Sequence, residues 1–348
     1  MKKLTCIMAA GALLGALTAH GQDTIKVEER YLWPADYMAD PSARVFDGKI
    51  YIYPSHDWDS PITDGTDGNH FDMKDYHVFS IDGGFMDGKV TDHGVIIGLK
   101  DVPWAERQLW APDAIERDGR YYFYFTARDK EGLFRLGVAE AETPVGPFKV
   151  YDKPIEGTYS IDPTVFADDD GSYYIYFGGL SGGQLQNWIG NEYHADAGIP
   201  DKDQPAASSR VARLNPDMKS LAEAPREVKI VDKDGNELKS GDPHRYFEAP
   251  WMHRYNGKYY YSYSTGTSHM LCYAVGDNPY GPFTYAGEIM TPVVGWTTHH
   301  SILEHQGRWW LVCHDSKPSG GKSRLRSMKV MELTYRPDGT IVTIDGGM

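Results

Sequence analysis

Five times along the chain a short apolar stretch runs into a turn ending in glycine and returns as an aromatic or β-branched stretch. The copies span residues 40–53, 111–125, 162–177, 248–263 and 299–312, with turn glycines at Gly48, Gly119, Gly171, Gly257 and Gly307. Asp-Gly and Asn-Gly at such turns supply the positive φ that tight hairpins need. A hairpin that recurs at intervals marks a repeat architecture. The intervals are too wide and uneven for a solenoid and fit propeller blades carrying loop insertions. The pattern therefore predicts an all-β, single-domain, five-bladed β-propeller.

Other segments fit the same scheme. Pro144–Phe148 and Pro279–Phe283 share the pattern Pro-x-Gly-Pro-Phe and are expected to end a later strand of their blades, with proline on the exposed edge. No amphipathic helix of any length is evident. The stretch from Gly182 to Pro243, rich in Gly, Asn and Asp, reads as a long insertion between blades three and four, with a hairpin at Asp234-Gly235. A second insertion runs from Asp57 to His77. Long insertions on one rim usually shape a site. Residues 326–348 remain to close the ring.

Composition narrows the picture. The 348 residues include 24 Tyr and 9 Trp, which favour strands and can form sugar-stacking surfaces. A net charge of −14 argues against nucleic acid, which needs clustered Lys and Arg. Lys2 and Lys3, an apolar run from about Cys6 to Leu17 and the small-residue site Ala19-His20-Gly21 read as a signal peptide over residues 1–21, leaving 22–348 as the propeller. The apolar run is short for a membrane span, and Cys6 falls too early in it for a lipidation site. The protein is thus expected in the periplasm or secreted, with no membrane span. Cys272 and Cys313 then remain, either as a disulfide or as two buried free thiols in strands.

The chemistry lies in a positional coincidence. Asp40, Asp162 and Glu248 each sit eight or nine residues before their turn glycine, in blades one, three and four, and His299 holds that place in blade five. Equivalent positions in propeller blades converge on the central axis. Grouped carboxylates are costly unless paired, protonated or bound to a cation, so the cluster reads as an active site. An Asp-Pro pair alone is a common turn starter. Asp168-Asp169-Asp170 and Asp232–Glu237 read as turns, the latter lacking the full spacing of a calcium loop. Asp113 falls nearer its glycine and is expected to face elsewhere.

Ala39-Asp40-Pro41, Trp110–Asp113, Ser160–Pro163, Phe247–Pro250 and His299–Ile302, in this order, resemble glycoside hydrolase family 43 over essentially the whole mature chain. The resemblance implies Asp40 as general base, Glu248 as general acid and Asp162 as the residue that raises the Glu248 pKa and orients it. It implies inversion in one displacement, with base and acid about 6.5–9.5 Å apart. It matches His299 to a central-channel histidine associated with calcium, partly through water, and Arg326 to an arginine that contacts substrate hydroxyls. Trp110 walls a sugar subsite or packs the core. The expected substrates are plant cell-wall pentose oligosaccharides. The Trp296–Ser301 segment and single-domain length look most like the smaller metal-activated β-xylosidases. An α-L-arabinofuranosidase with the same three acids is the alternative. A retaining fructan-cleaving propeller would show an Asn-Asp-Pro-Asn-Gly motif that is missing here, and a non-catalytic sugar-binding propeller would be expected to have lost an acid.

Overall fold

The computed structural model describes residues 24–62, 65, 67–296 and 298–348. The predicted signal peptide lies outside the described residues. Five antiparallel sheets follow one another along the chain. Blade one contains Met38–Phe46, Lys49–His56, Asp75–Asp82 and Lys89–Gly98. Blade two contains Ala105–Arg117, Arg120–Asp129, Phe134–Ala141 and Lys149–Val150. Blade three contains Thr164–Ala167, Tyr173–Phe177, Arg210–Arg213 and Arg226–Glu227. Blade four contains Tyr246–Tyr255, Lys258–Thr265, Leu271–Gly276 and Phe283–Met290, with Ile230–Val231 added in parallel at its edge. Blade five contains His300–His305, Arg308–Asp315 and Ser327–Leu333.

The fourth strand of blade five comes from the other end of the chain. Glu29–Tyr31 pairs antiparallel with Ser327–Leu333. The ring is therefore closed by the N-terminal strand, where the sequence pointed to the C-terminal residues. A buried charge cluster locks this seam: Lys329 Nζ lies 2.8 Å from both Asp315 and Glu29, and the Tyr31 hydroxyl donates to Asp315 at 2.9 Å.

The turns follow their sequences. Asp47-Gly48, Asp118-Gly119, Asn256-Gly257 and Gln306-Gly307 all have positive φ at both residues, the condition for a type I′ hairpin. In blade three the loop is longer, and Gly171 alone of Asp168–Gly171 has positive φ. Asp168 does more than turn the chain, since it accepts from the Tyr259 hydroxyl at 2.8 Å and so ties blade three to blade four.

Two placements differ from expectation. The 182–243 stretch is more than an insertion: it supplies the two outer strands of blade three, a separate two-stranded sheet of Trp188–Ile189 and Glu192–Tyr193, and the edge strand of blade four, because its short apolar pairs are bounded by long polar loops that hide the strand period. The Asp234-Gly235 hairpin is present, bridging Val231 to Glu237. The two Pro-x-Gly-Pro-Phe segments are turns that lead into the fourth strand of their blades. Each receives a hydroxyl from the preceding blade: Tyr53 donates to the Pro144 carbonyl and Tyr176 to that of Pro279, both at 2.6 Å. A buried tyrosine needs a partner for its hydroxyl, and the repeat provides one at both of these seams.

The core is distributed between blades. Separate apolar clusters fill the seams between blades one and two, four and five, and five and one, while a larger one spans blades two to four. Most of the aromatic residues are spent here. Cys272 and Cys313 are buried free thiols. Among the described residues no helix is long and apolar enough to cross a membrane.

Around the axis the innermost strands are joined by one carboxylate. Asp113 is fully buried in blade two. It accepts from Ser42 and Arg44 of blade one and from the Thr164 hydroxyl and Val165 N–H of blade three. Arg44 also donates to the Val165 carbonyl at 2.9 Å and lies 4.3 Å from the Trp251 ring of blade four. Removing one partner of such a buried pair costs about 3–5 kcal/mol. Asp113→Ala is expected to lower unfolding stability by that amount in a urea titration followed by tryptophan fluorescence, while Lys130→Ala, on an exposed turn, leaves it within about 0.5 kcal/mol.

Candidate active site

The sequence repeat brings its acids to the axis, with one change of register. The inner hairpin pairs Ala39 with Ser55 in blade one and Glu248 with Ser264 in blade four. Ser55 and Ser264 both lie seven residues past their turn glycine. Glu248 therefore corresponds to Ala39, one residue before the Asp40 position, which Ala249 occupies in blade four. Asp162 and His299 do share the Asp40 register. The longer glutamate starts one residue further back and so reaches the same channel.

Bulges aim these side chains. The ladder slips between Ala39 and Ser42 and between Glu248 and Trp251. Each bulge contains a proline, which has no N–H to give to the ladder. Asp40, Asp162 and Ala249, each just before its proline, have φ of 50°, 60° and 58°. Asp tolerates this region, whereas for Ala it is unusual, and such strain collects at functional sites. It turns the Ala249 N–H toward Asp162, donating to Oδ2 at 2.9 Å. Gly179 makes room alongside, because a Cβ there would fall 2.5 Å from Ile161 and 3.2 Å from the Glu248 Cβ.

Arg326 is the cation of the site. Its Nη1 donates to Asp40 Oδ1 at 2.8 Å, while Nε, Nη2 and the backbone N–H all reach Asp57 at 2.8–2.9 Å. Asp40 also accepts from the Ser55 hydroxyl at 2.5 Å, and its N–H donates to His314 Nδ1 at 2.9 Å. Burial opposes ionisation of Asp40, but the Arg326 guanidinium, helped by the Ser55 hydroxyl, outweighs it and holds the carboxyl at about 2. Asp57 is pushed up by burial in spite of Arg326.

The opposite side behaves differently. Burial first, then the facing charges of Glu248 and Asp40, push Asp162 well above the usual carboxylate range. Burial also lifts Glu248 to about 8, with Asp40 adding and Arg326 opposing. Four carboxylates cannot all ionise beside one guanidinium, so Asp162 and Glu248 share a proton at neutral pH. The Ala249 N–H opposes the push on Asp162 and so favours the arrangement in which Glu248 carries the shared proton.

His299 is buried with its Nδ1 3.9 Å from Asp40 Oδ1. Burial lowers its pKa, so it presents a neutral imidazole, the form that ligates metals. Calcium prefers six to eight oxygen ligands. One imidazole beside one anionic carboxylate suits a largely hydrated cation. His300 faces away, to the Ser262 hydroxyl of blade four at 2.6 Å. Trp110 is only 8% exposed. Its indole N–H donates to the Phe71 carbonyl and its ring lies 4.5 Å from Phe134, so burial favours the packing role. Ser55, Asp57, Phe71 and His314 escaped the sequence reading. Ser55 and Asp57 were traceable in part: both continue the period-two face of the second strand of blade one.

An ionised carboxylate and a protonated one converging on the channel of a propeller define a glycosidase-type acid–base site. The family model for glycosyl hydrolases family 43 matches residues 90–341, and the chain belongs to this family. A xylosidase/arabinosidase of Bacteroides ovatus is 58% identical, covering 92% of this chain and 99% of the relative. A β-xylosidase of Xylanibacter ruminicola is 56% identical, covering 91% and 100%. The fold superposes with a TM-score of 0.89 on a β-xylosidase/α-arabinofuranosidase of this family from a compost microbial metagenome, solved with xylotriose in a calcium-free form. That structure is 56% identical, with 94% of this chain and 99% of the other covered. The chain is a glycoside hydrolase.

Asp57 carries three of the four hydrogen bonds that hold Arg326. Bonds to charged groups contribute about 1.5–3 kcal/mol. Asp57→Asn is expected to lower stability by about that much and to raise the Asp40 pKa as Arg326 loosens, measurable by carboxyl-selective NMR titration.

Proposed function

We propose that this chain is an exo-acting, inverting β-xylosidase that removes xylose from β-1,4-xylo-oligosaccharides. The observation that carries the reading is the placing of buried carboxylates around one channel, Asp40 paired with Arg326 at 2.8 Å and Glu248 set beside Asp162, which accepts from the Ala249 N–H at 2.9 Å. An ionised Asp40 is the general base that takes a proton from water as it attacks the anomeric carbon. Glu248 gives its proton to the departing glycosidic oxygen. Asp162 keeps that proton on Glu248 by repelling its anion, and the Ala249 N–H holds Asp162 in place. Arg326, clamped by Asp57, keeps Asp40 ionised and offers its remaining donor capacity to sugar hydroxyls. The wider separation of an inverting pair, about 6.5–9.5 Å, leaves space for that water.

The xylosidase names of the relatives and the xylotriose bound in the solved neighbour support xylose at the cleaved end. The paired names xylosidase/arabinosidase favour a second activity, on α-L-arabinofuranosides. His299 would hold a hydrated calcium ion, whose charge would stabilise the anionic side of the channel. The basic and apolar N-terminus supports an exported enzyme, acting on cell-wall fragments outside the cytoplasm.

Glu248→Ala is expected to cut kcat/KM on xylobiose by about 10²–10⁴. The loss should be smaller on 4-nitrophenyl β-xylopyranoside, whose leaving group needs less proton assistance; equal losses would argue against the acid role. For the wild type, activity should fall as pH rises through about 8, when Glu248 loses its proton, while Asp40 stays ionised down to about 2. Asp162→Asn removes the repelling charge and should move the alkaline limb to lower pH.

Rates on 4-nitrophenyl β-xylopyranoside and 4-nitrophenyl α-L-arabinofuranoside should favour the xyloside, and a dominant arabinofuranoside rate would move the function to arabinose removal. Chelation should lower activity and calcium restore it; indifference to chelator would remove the role given to His299.

A further inference from the structure

A second cluster of ligand-type side chains lies behind the active site and takes no part in the chemistry above. His56 ends the second strand of blade one, and Asp75 and His77 open the third. Their ligand atoms lie within 4.8 Å of one another. His56 Nδ1 is 2.6 Å from Asp75 Oδ1, and His77 Nε2 is 3.8 Å from the same oxygen. The side chains are 13–15% exposed, sheltered yet reachable from solvent.

The outer nitrogens of both rings are anchored by further carboxylates. Asp92 lies 3.0 Å from His77 Nδ1, and Asp36 lies 3.3 Å from His56 Nε2. A carboxylate on the outer nitrogen fixes the tautomer that turns the inner lone pair toward a shared point, and a carboxylate, backbone carbonyl or water holds that place on almost all metal-ligating histidines. An internal hydrogen-bond chain would need only one carboxylate between the rings. The two outer ones are what a metal site adds.

We propose that His56, Asp75 and His77 bind a divalent transition-metal ion of the zinc class, in a site separate from the channel of His299. Two imidazoles and a carboxylate suit zinc, which takes three such ligands and a water in a tetrahedron. Ligands about 2.0–2.1 Å from zinc stand roughly 3.4 Å apart in that geometry. The 2.6 Å contact would open and the 3.8 Å contact close by less than 1 Å. The ion replaces the proton that bridges His56 Nδ1 and Asp75, and that proton leaves to solvent.

The location gives the site a purpose. His56 and Asp75 are the two stems of the 57–74 loop, which carries Asp57 to Arg326 and places the Phe71 ring 4.8 Å from the Arg326 guanidinium. An ion held between His56 and Asp75 ties these two strand ends together and so steadies Asp57, the clamp on Arg326.

The test uses the full chain, freed of metal with a chelator and titrated with zinc chloride by isothermal titration calorimetry. The wild type should take up one equivalent that His77→Gln and Asp75→Asn lose and His299→Ala keeps. Zinc should raise the Tm of the wild type and leave that of His77→Gln unchanged. If His77→Gln fails to fold by circular dichroism, His56→Gln takes its place. The proposal is overturned if the wild type binds no zinc, if the variants bind it as the wild type does, or if the bound equivalent disappears with His299→Ala.

Discussion

The ion pair of Arg44 and Asp113 is the constraint on which the propeller depends. Five sheets that each bury both faces could pack in several rings, and apolar contact alone is non-directional. Asp113 removes that freedom, because its two oxygens accept from blades one, two and three at once. Arg44 extends the link to the Trp251 ring of blade four, and the Trp251 indole donates to the Ile302 carbonyl of blade five at 3.0 Å. Ser301 of blade five returns the chain of contacts to Pro41 and Ala43 of blade one. A buried charge with several fixed donors is costly in any other arrangement, so the hub selects one ring.

The active site is built two residues away from this hub and inherits its rigidity. Asp113, Ser42 and Thr164 lie two residues past the axis position that Asp40 and Asp162 occupy in their own blades. The same strands that meet through Asp113 therefore fix the spacing of the acids. Within that frame the electrostatics divide the carboxylates. Asp40 has a guanidinium, a hydroxyl and two imidazoles at hand. Asp162 and Glu248 have chiefly each other and a backbone N–H. Chemically similar groups thus rest in opposite protonation states, which is what acid–base hydrolysis at neutral pH requires.

Much of this was legible along the chain. The period of the hairpins, the glycine turns and the Asp-Pro pairs announce five blades, because local twist and positive φ need particular residues at particular places. The three acids and His299 stood out because a repeat makes equivalent positions countable. The count misplaced Glu248 by a single residue, since blade three has a longer turn and blade four does not. Asp57 and His314 were not countable in this way, as their roles depend on partners about 270 residues away.

The sequence by itself determined the blade number, the strand polarity and which side chains are able to reach the axis, since these follow from turn chemistry and a two-residue period. Only the tertiary structure decided which strand closes the ring and that blade three takes its outer strands from the 182–243 stretch. It also decided how the charges balance around Arg326. Those outcomes rest on distances between residues remote in the chain and on how much water burial removes, and neither is written in local patterns.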